Sequence, residues 1–278
     1  MKTQKIWLIT GASQGLGLAT VKYLLSQGQI VVATTRNASA FHSEVTQNTN
    51  LEVLSLDITD ESSVSKTIEY ISKKYGRIDV LINNAGFGFA GAIEEASEAE
   101  ISKVLSVNVE AMLRVTRYVL PVMRRAKNGH IINLSSIAGL ASTAGFGIYN
   151  ASKYAVEGFS EALSLETKAL GIKVTLVEPG AFRTNFLDSS LAVADRTVAE
   201  YDATAGQFRR NLQANNGRQA GNPQKAAQVI ASIVDMEQPP LRLLLGSDAY
   251  KRAVSKFGEV SAEIERFKNI TLSTDFQS

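Results

Sequence analysis

Residues 5–28 read KIWLITGASQGLGLATVKYLLSQG. KIWLIT, residues 5–10, has the short, apolar, β-branched character of a buried strand, and LATVKYLLSQG reads as an apolar helix. Between them lies TGASQGLG, Thr10 to Gly17. Glycines at 11, 15 and 17 let the backbone turn sharply out of the strand, and their missing side chains let a pyrophosphate approach the helix N-terminus. A glycine turn also serves as a plain strand-to-helix connection; its position between a first strand and a first helix favours a dinucleotide.

The same alternation runs outward along the chain. Further buried strands are predicted at 30–34, 51–56, 78–82, 129–134, 172–178 and 241–245, separated by longer helical patterns. Ser97 with Glu100 forms a capping box, and Asn222-Pro223 supplies a cap followed by proline at the first helical position. Near-continuous apolar strands alternating with helices predict an α/β fold: a doubly wound, Rossmann-type parallel sheet of about seven strands covered on both faces. A single domain is expected over 1–278, with no linker and no internal repeat. A polar segment at about 184–221 interrupts the pattern and is expected to be a substrate lid rather than a structureless loop. At about 248–268, Tyr250, Val254, Phe257, Ser261, Ile264 and Phe267 recur at near-helical spacing. A terminal helix packed on its own domain is expected there, with a lid or a subunit contact as the alternatives.

Composition excludes several classes. A net charge of +2 with scattered Lys and Arg lacks the footprint of a nucleic-acid binder. The absence of cysteine removes disulfides, thiolate chemistry and sulfur-ligated metals, and His42 and His130 are too far apart for a zinc pair, so no metal is expected. The run IWLI is too short for a signal segment or a membrane span, which predicts a soluble, cytoplasmic protein without a membrane partner.

Two Tyr-x-x-x-Lys pairs are present, Tyr70/Lys74 in YISKK and Tyr149/Lys153 in YNASK. Doubly wound sheets bind ligands at the carboxyl ends of their strands. Tyr70 and Lys74 end the helix leading through Gly76 into the fourth strand, at the opposite edge, whereas Tyr149 begins the helix after the fifth strand and its loop. Spacing by four places Lys153 on the same helix face as Tyr149. A tyrosine titrates near pH ~10, and an adjacent ammonium favours the phenolate; a drop of about three units requires roughly 4 kcal/mol, to be shared between lysine and an oxidised nicotinamide. Ser135 and Ser136 end the fifth strand, where a hydroxyl either orients a substrate carbonyl or caps a turn. At the end of the second strand, Thr35-Arg36 stands where an NAD site normally carries a carboxylate. Arginine suits a 2′-phosphate, so NADP(H) is preferred with NAD(H) possible, although an arginine at a strand end is also often merely solvated. Gln14 lies where a second basic residue would have helped.

Taken in order, these motifs resemble the single-domain branch of the short-chain dehydrogenase/reductases, from Thr10 into the last strand. The resemblance implies cofactor contacts from Gly11, Ser13, Gln14, Gly15, Leu16 and Gly17 in the turn, from Arg36, and from Asp57 and Ile58 in LDIT at the adenine. It implies further support from Asn84, Ala85 and Gly86 in NNAG, from Pro179 and Gly180 in EPGAFRT, and from Thr184 at the nicotinamide carboxamide. Asn108 in SVNVEA, Ser136 in LSSIAG, Tyr149 and Lys153 match the catalytic set, with the last two also among the cofactor contacts and Lys153 at the nicotinamide ribose. Glu178 replaces the asparagine of many members, and Phe182 brings an aromatic near the nicotinamide; both are expected to shape the substrate side.

The implied reaction is NADP(H)-dependent interconversion of a ketone or aldehyde and its alcohol, with Tyr149 as general acid/base. Phe87, Phe89, Phe146, Phe182 and Phe186 suggest an apolar substrate pocket, although each suits ordinary core packing equally well. The rival readings are a non-catalytic dinucleotide-binding regulator and a sugar-nucleotide epimerase, for whose larger C-terminal domain the chain has little room. By family analogy a homodimer or homotetramer is expected through the helices at Ser97 to Arg125 and Tyr149 to Leu170.

Overall fold

A computed structural model describes residues 4–276; the terminal residues of the domain expected over 1–278 lie outside the described residues. The strands are β1 (Ile6–Ile9), β2 (Ile30–Thr35), β3 (Leu51–Ser55), β4 (Val80–Asn83), β5 (Gly88–Ala90), β6 (Gly129–Leu134), β7 (Ile172–Pro179), β8 (Leu191–Val193) and β9 (Arg242–Leu245). The helices are α1 (Gly15–Ser26), α2 (Ser43–Thr46), α3 (Glu61–Tyr75), α4 (Glu98–Leu105), α5 (Ala111–Ala126), α6 (Gly147–Thr167), α7 (Phe186–Ser189), α8 (Gln207–Ala214), α9 (Pro223–Ser232), α10 (Ser247–Arg266) and α11 (Lys268–Leu272).

Seven strands form one parallel sheet in the order β3-β2-β1-β4-β6-β7-β9. Its direction of winding reverses between β1 and β4, which opens a crevice at their carboxyl ends. Alternation along β1 explains why both faces are covered. Trp7 and Ile9 join Leu24, Leu25 and Ile230 on one side, while Leu8 joins Ile68, Ile71 and Met123 on the other. Each such buried side chain contributes roughly 1.5–3 kcal/mol of transfer free energy. The expected caps are present: Ser97 accepts from the Glu100 amide while Glu100 reaches back to Ser97, and Asn222 accepts from the Gln224 and Lys225 amides.

The 184–221 excursion holds α7, β8 and α8, and β8 pairs with β5 in a separate two-stranded parallel sheet that the sequence reading did not include. Those strands, of three residues each, are too short to be recognised before their partners are known. The terminal helix spans Ser247–Arg266, and it does not bury its large apolar side chains. It docks through Ala249 and Ala253 against Leu140 and Leu244, leaving Tyr250, Val254, Phe257, Ile264 and Phe267 exposed. Small residues allow the closer approach, so the larger stripe faces away.

Candidate active site

A cavity of about 1750 Å³ opens at the carboxyl ends of the strands, running from the glycine turn past Arg36 and Asp57 to Tyr149 and under α8. Its floor begins where β1 turns into α1. Gly11 and Gly15 have φ of +62° and +60°, where a side chain would be strained, and a Cβ on Gly11 would fall 2.7 Å from the Ala85 Cα. Gln14, at the N-cap of α1, makes no capping bond with its side chain, so first-turn N–H groups remain for a ligand. A Cβ on Gly15 would meet only the Thr184 Cβ, at 3.9 Å, and the bare backbone there fits a pyrophosphate. Gly17 is not on the cavity wall: its Cβ would lie 2.5 Å from the Asn84 Nδ2, so its smallness serves helix-to-loop packing rather than a ligand.

The wall continues through Ser13, Leu16, Arg36, Asp57, Ile58, Ala85, Gly86, Pro179, Gly180 and Thr184. Asn84 ties β4 to the turn, its Nδ2 donating to the Thr10 and Gly11 carbonyls at 3.0 and 2.8 Å. Hydrogen bonds from the Thr59 hydroxyl and amide hold the Asp57 carboxyl below the usual range, with Arg36 adding to the effect. Gly180 lies so close to α10 that a Cβ would sit 2.2 Å from Asp248 Oδ1, while Asp248 accepts from the Ala181 amide at 2.7 Å. The Gln14 side chain faces the excursion instead of supplying charge: it donates to Ser190 at 2.8 Å and accepts from Ser189 at 2.9 Å.

Ser136, Tyr149 and Lys153 meet at the far end of the cavity. Ser136 follows β6 and caps the next turn, accepting from the Ala138 amide at 3.1 Å, so capping and access to the cavity are compatible. Tyr149 is buried near the start of α6, and burial pushes its phenol up to about 12, with the Ser136 hydroxyl drawing it back down. This is opposite in direction to the expected lowering. Lys153 Nζ donates to the Leu134 carbonyl at 2.8 Å and stands 5.7 Å from the Tyr149 ring centre, and its own pKa is pulled down to about 8 by burial, opposed by Glu157. Asn108 is fully buried off the cavity wall, within a π-helical turn over Ser106–Glu110. It clamps the Phe87 backbone, accepting from its N–H at 3.0 Å and donating to its carbonyl at 2.8 Å, and donates to Ser152 at 3.1 Å. A π-turn of this kind re-aims one side chain out of the regular helical ladder.

Four of the five expected pocket aromatics, Phe87, Phe146, Phe182 and Phe186, line the cavity. Phe89 does not: it is buried with Val104 and Ala194, because alternation along β5 turns it into the core. Phe146 packs against Tyr149 at 4.9 Å between ring centres and against Phe208 at 4.6 Å. Phe208 and Leu212 of α8, together with Arg218, Asp248 and Arg252, were not anticipated as lining residues. The i, i+4 apolar pair Phe208/Leu212 was the available signal. Glu178 also departs from expectation. It points away from the cavity into a buried site with Glu157, where Arg242 Nε lies 3.7 and 3.4 Å from their respective carboxylates.

The second Tyr/Lys pair is bound elsewhere. Tyr70 donates to Glu52 at 2.6 Å and Lys74 donates to the same carboxylate oxygen at 2.8 Å, on an exposed face away from the large cavity. Among the described residues, no helix is long and apolar enough to cross a membrane.

The family model for short chain dehydrogenase matches residues 5–194. A 3-ketodihydrosphingosine reductase of Bacteroides thetaiotaomicron is 41% identical over 244 residues, covering 87% of this chain and 88% of that protein. The crystal structure of a short-chain dehydrogenase from Streptomyces avermitilis superimposes with a TM-score of 0.92 at 38% identity, covering 99% of this chain and 100% of that one. The structure of ElxO with NADP bound has a TM-score of 0.73 at 26% identity, covering 90% and 100% respectively.

Proposed function

We propose a reaction that follows from kinship: the chain belongs to the short-chain dehydrogenase family. It is an NAD(P)-dependent oxidoreductase, and the proposed reaction reduces a hydrophobic ketone or aldehyde with NADPH, or oxidises the corresponding secondary alcohol. The observation that carries this reading is the convergence of Ser136, Tyr149 and Lys153 on a cavity that begins at the glycine turn.

Bound NADPH supplies the hydride. Tyr149 gives its proton to the carbonyl oxygen as negative charge develops there, and Ser136 donates a hydrogen bond to the same oxygen. A phenol raised by burial is in the protonated form that reduction requires. Lys153 places its ammonium beside the phenol and stabilises the phenolate left behind. Asn108 acts one layer back, fixing the Phe87 backbone and Ser152 on α6 next to Lys153. Arg36 supports NADPH over NADH, since its guanidinium suits a ribose phosphate. The NADP bound by ElxO accords with this choice.

Phe87, Phe146, Phe186 and Phe208 favour an apolar substrate, consistent with the keto-lipid named for the Bacteroides relative. Oxidation of NADPH and NADH followed at 340 nm over carbonyls from small polar to bulky aryl and long-chain ketones tests the assignment. Faster turnover of small polar compounds would reject the substrate class, and no turnover of any carbonyl would reject the reaction.

A further inference from the structure

We infer that the exposed stripe of α10 is an interface between two copies of this chain, formed by antiparallel exchange of the C-terminal helices. The inference is independent of the proposed reaction. Every residue from Ser261 to Phe276 is exposed, so the last turns of α10 and all of α11 project from the domain as an arm. Isolated helices of this length are marginal in water and ordinarily depend on packing of an apolar face. The arm carries such a face, yet nothing within the described chain covers it: Ile264 is 66% exposed and Phe267 42%.

The spacing identifies the kind of partner. Tyr250, Val254, Phe257, Ser261 and Ile264 alternate by four and three residues, the narrow seam of period 3.5 that packs helix on helix. A membrane-surface helix instead presents a broad apolar face beside a basic one. Here the projecting half is mixed in charge, with Glu263 and Glu265 beside Arg266 and Lys268, and carries no basic face.

Charge selects the orientation. With Tyr250, Phe257 and Ile264 as one set of core positions and Val254 and Ser261 as the other, Lys251 and Glu265 flank the seam on the same side. In a parallel pair these two residues never face each other. In an antiparallel pair centred near Glu259, Lys251 faces the partner's Glu265, and the two-fold axis repeats that contact. Among the described residues, the Glu265 carboxylate accepts from its own neighbour Lys268, at 3.2 Å. The same register lays the projecting half of each arm on the docked half of the other, opposing Val254 to the partner's Ile264 and Phe257 to the partner's Ser261. Gly258 falls at the crossing. A Cβ there would meet nothing within 4 Å, so its smallness has no use inside the chain, but it permits two helices to approach closely.

The chain has no cysteine, so introduced thiols report contacts directly. An equimolar mixture of Phe257→Cys and Ser261→Cys, oxidised after subunit exchange, should give a mixed disulfide dimer, whereas Ser255→Cys with Ser261→Cys should not. In sedimentation velocity of the full chain, Ile264→Asp should weaken self-association at least tenfold with an unchanged far-UV spectrum. Lys251→Glu and Glu265→Lys should each weaken it several-fold, and the double variant should restore it. Equal disulfide yields from the two mixtures would overturn the inference. So would an association constant indifferent to Ile264→Asp, or binding of a monomeric wild-type chain to phosphatidylcholine vesicles.

Discussion

Lys153 Nζ stands 5.7 Å from the centre of the Tyr149 ring and directs a hydrogen bond at 2.8 Å to the Leu134 carbonyl. Burial holds the phenol at about 12, with the Ser136 hydroxyl opposing it. Tyr149→Phe is expected to lower kcat by roughly 10²–10⁴-fold while NADPH still binds, because the lost group transfers a proton and does not build the glycine turn. Tyr70→Phe should leave kcat unchanged, since that phenol is bonded to Glu52 on an exposed face. Steady-state kinetics with fluorescence titration of NADPH compares the two, and equal damage would refute the assignment.

Arg36 lines the cavity at the end of β2. Arg36→Asp should raise KM for NADPH by roughly 10–100-fold, the equivalent of one charged hydrogen bond, and lower KM for NADH. Parallel loss with both cofactors would assign Arg36 to packing.

Glu178 is pushed up to about 8, first by burial and then by Glu157, with Arg242 opposing. In the unfolded chain a glutamate titrates near ~4.3, so the folded state holds this proton more tightly. The resulting stabilisation is complete below that value and is lost as pH rises through about 8. Between pH ~5 and ~9, Tm of the wild type should therefore fall by roughly 2–8 °C more than Tm of Glu178→Gln. Parallel Tm curves would remove Glu178 from the account.

Arg209 of α8 bonds the buried Glu95 at 2.5 Å, and Glu95 also accepts from the Ala92 and Val198 amides at 2.8 and 3.0 Å. The arginine, together with these amides, holds the carboxyl at about 2. Arg209→Met strands that carboxylate and should cost roughly 1–3 kcal/mol in urea unfolding. It should also raise substrate KM, because α8 carries Phe208 over the cavity. Unchanged stability and KM would show that α8 is held by other contacts.

Much of the fold was legible in short-range pattern. Buried parallel strands need continuous apolar runs, and a strand-to-helix turn at a ligand needs glycine, so Trp7 to Gly15 announced both the sheet and its crevice. Helix caps were legible for the same reason: Ser97 and Asn222 satisfy amides only two or three residues away. Placing Tyr149 at the crevice and Tyr70 away from it required only chain order, because that order decides which end of the sheet each helix faces.

Tertiary structure decided what depends on direction and on remote partners. Alternation sent Phe89 inward, while Phe146, Phe182 and Phe186 reach the cavity from other parts of the chain. Glu178 turned toward Glu157 and Arg242, contacts spaced 21 and 64 residues away along the chain. The strand at Leu191–Val193 exists because Gly88–Ala90 is there to pair with it. The phenol's acidity followed from how much water the fold removes around Tyr149, a quantity that no local spacing encodes.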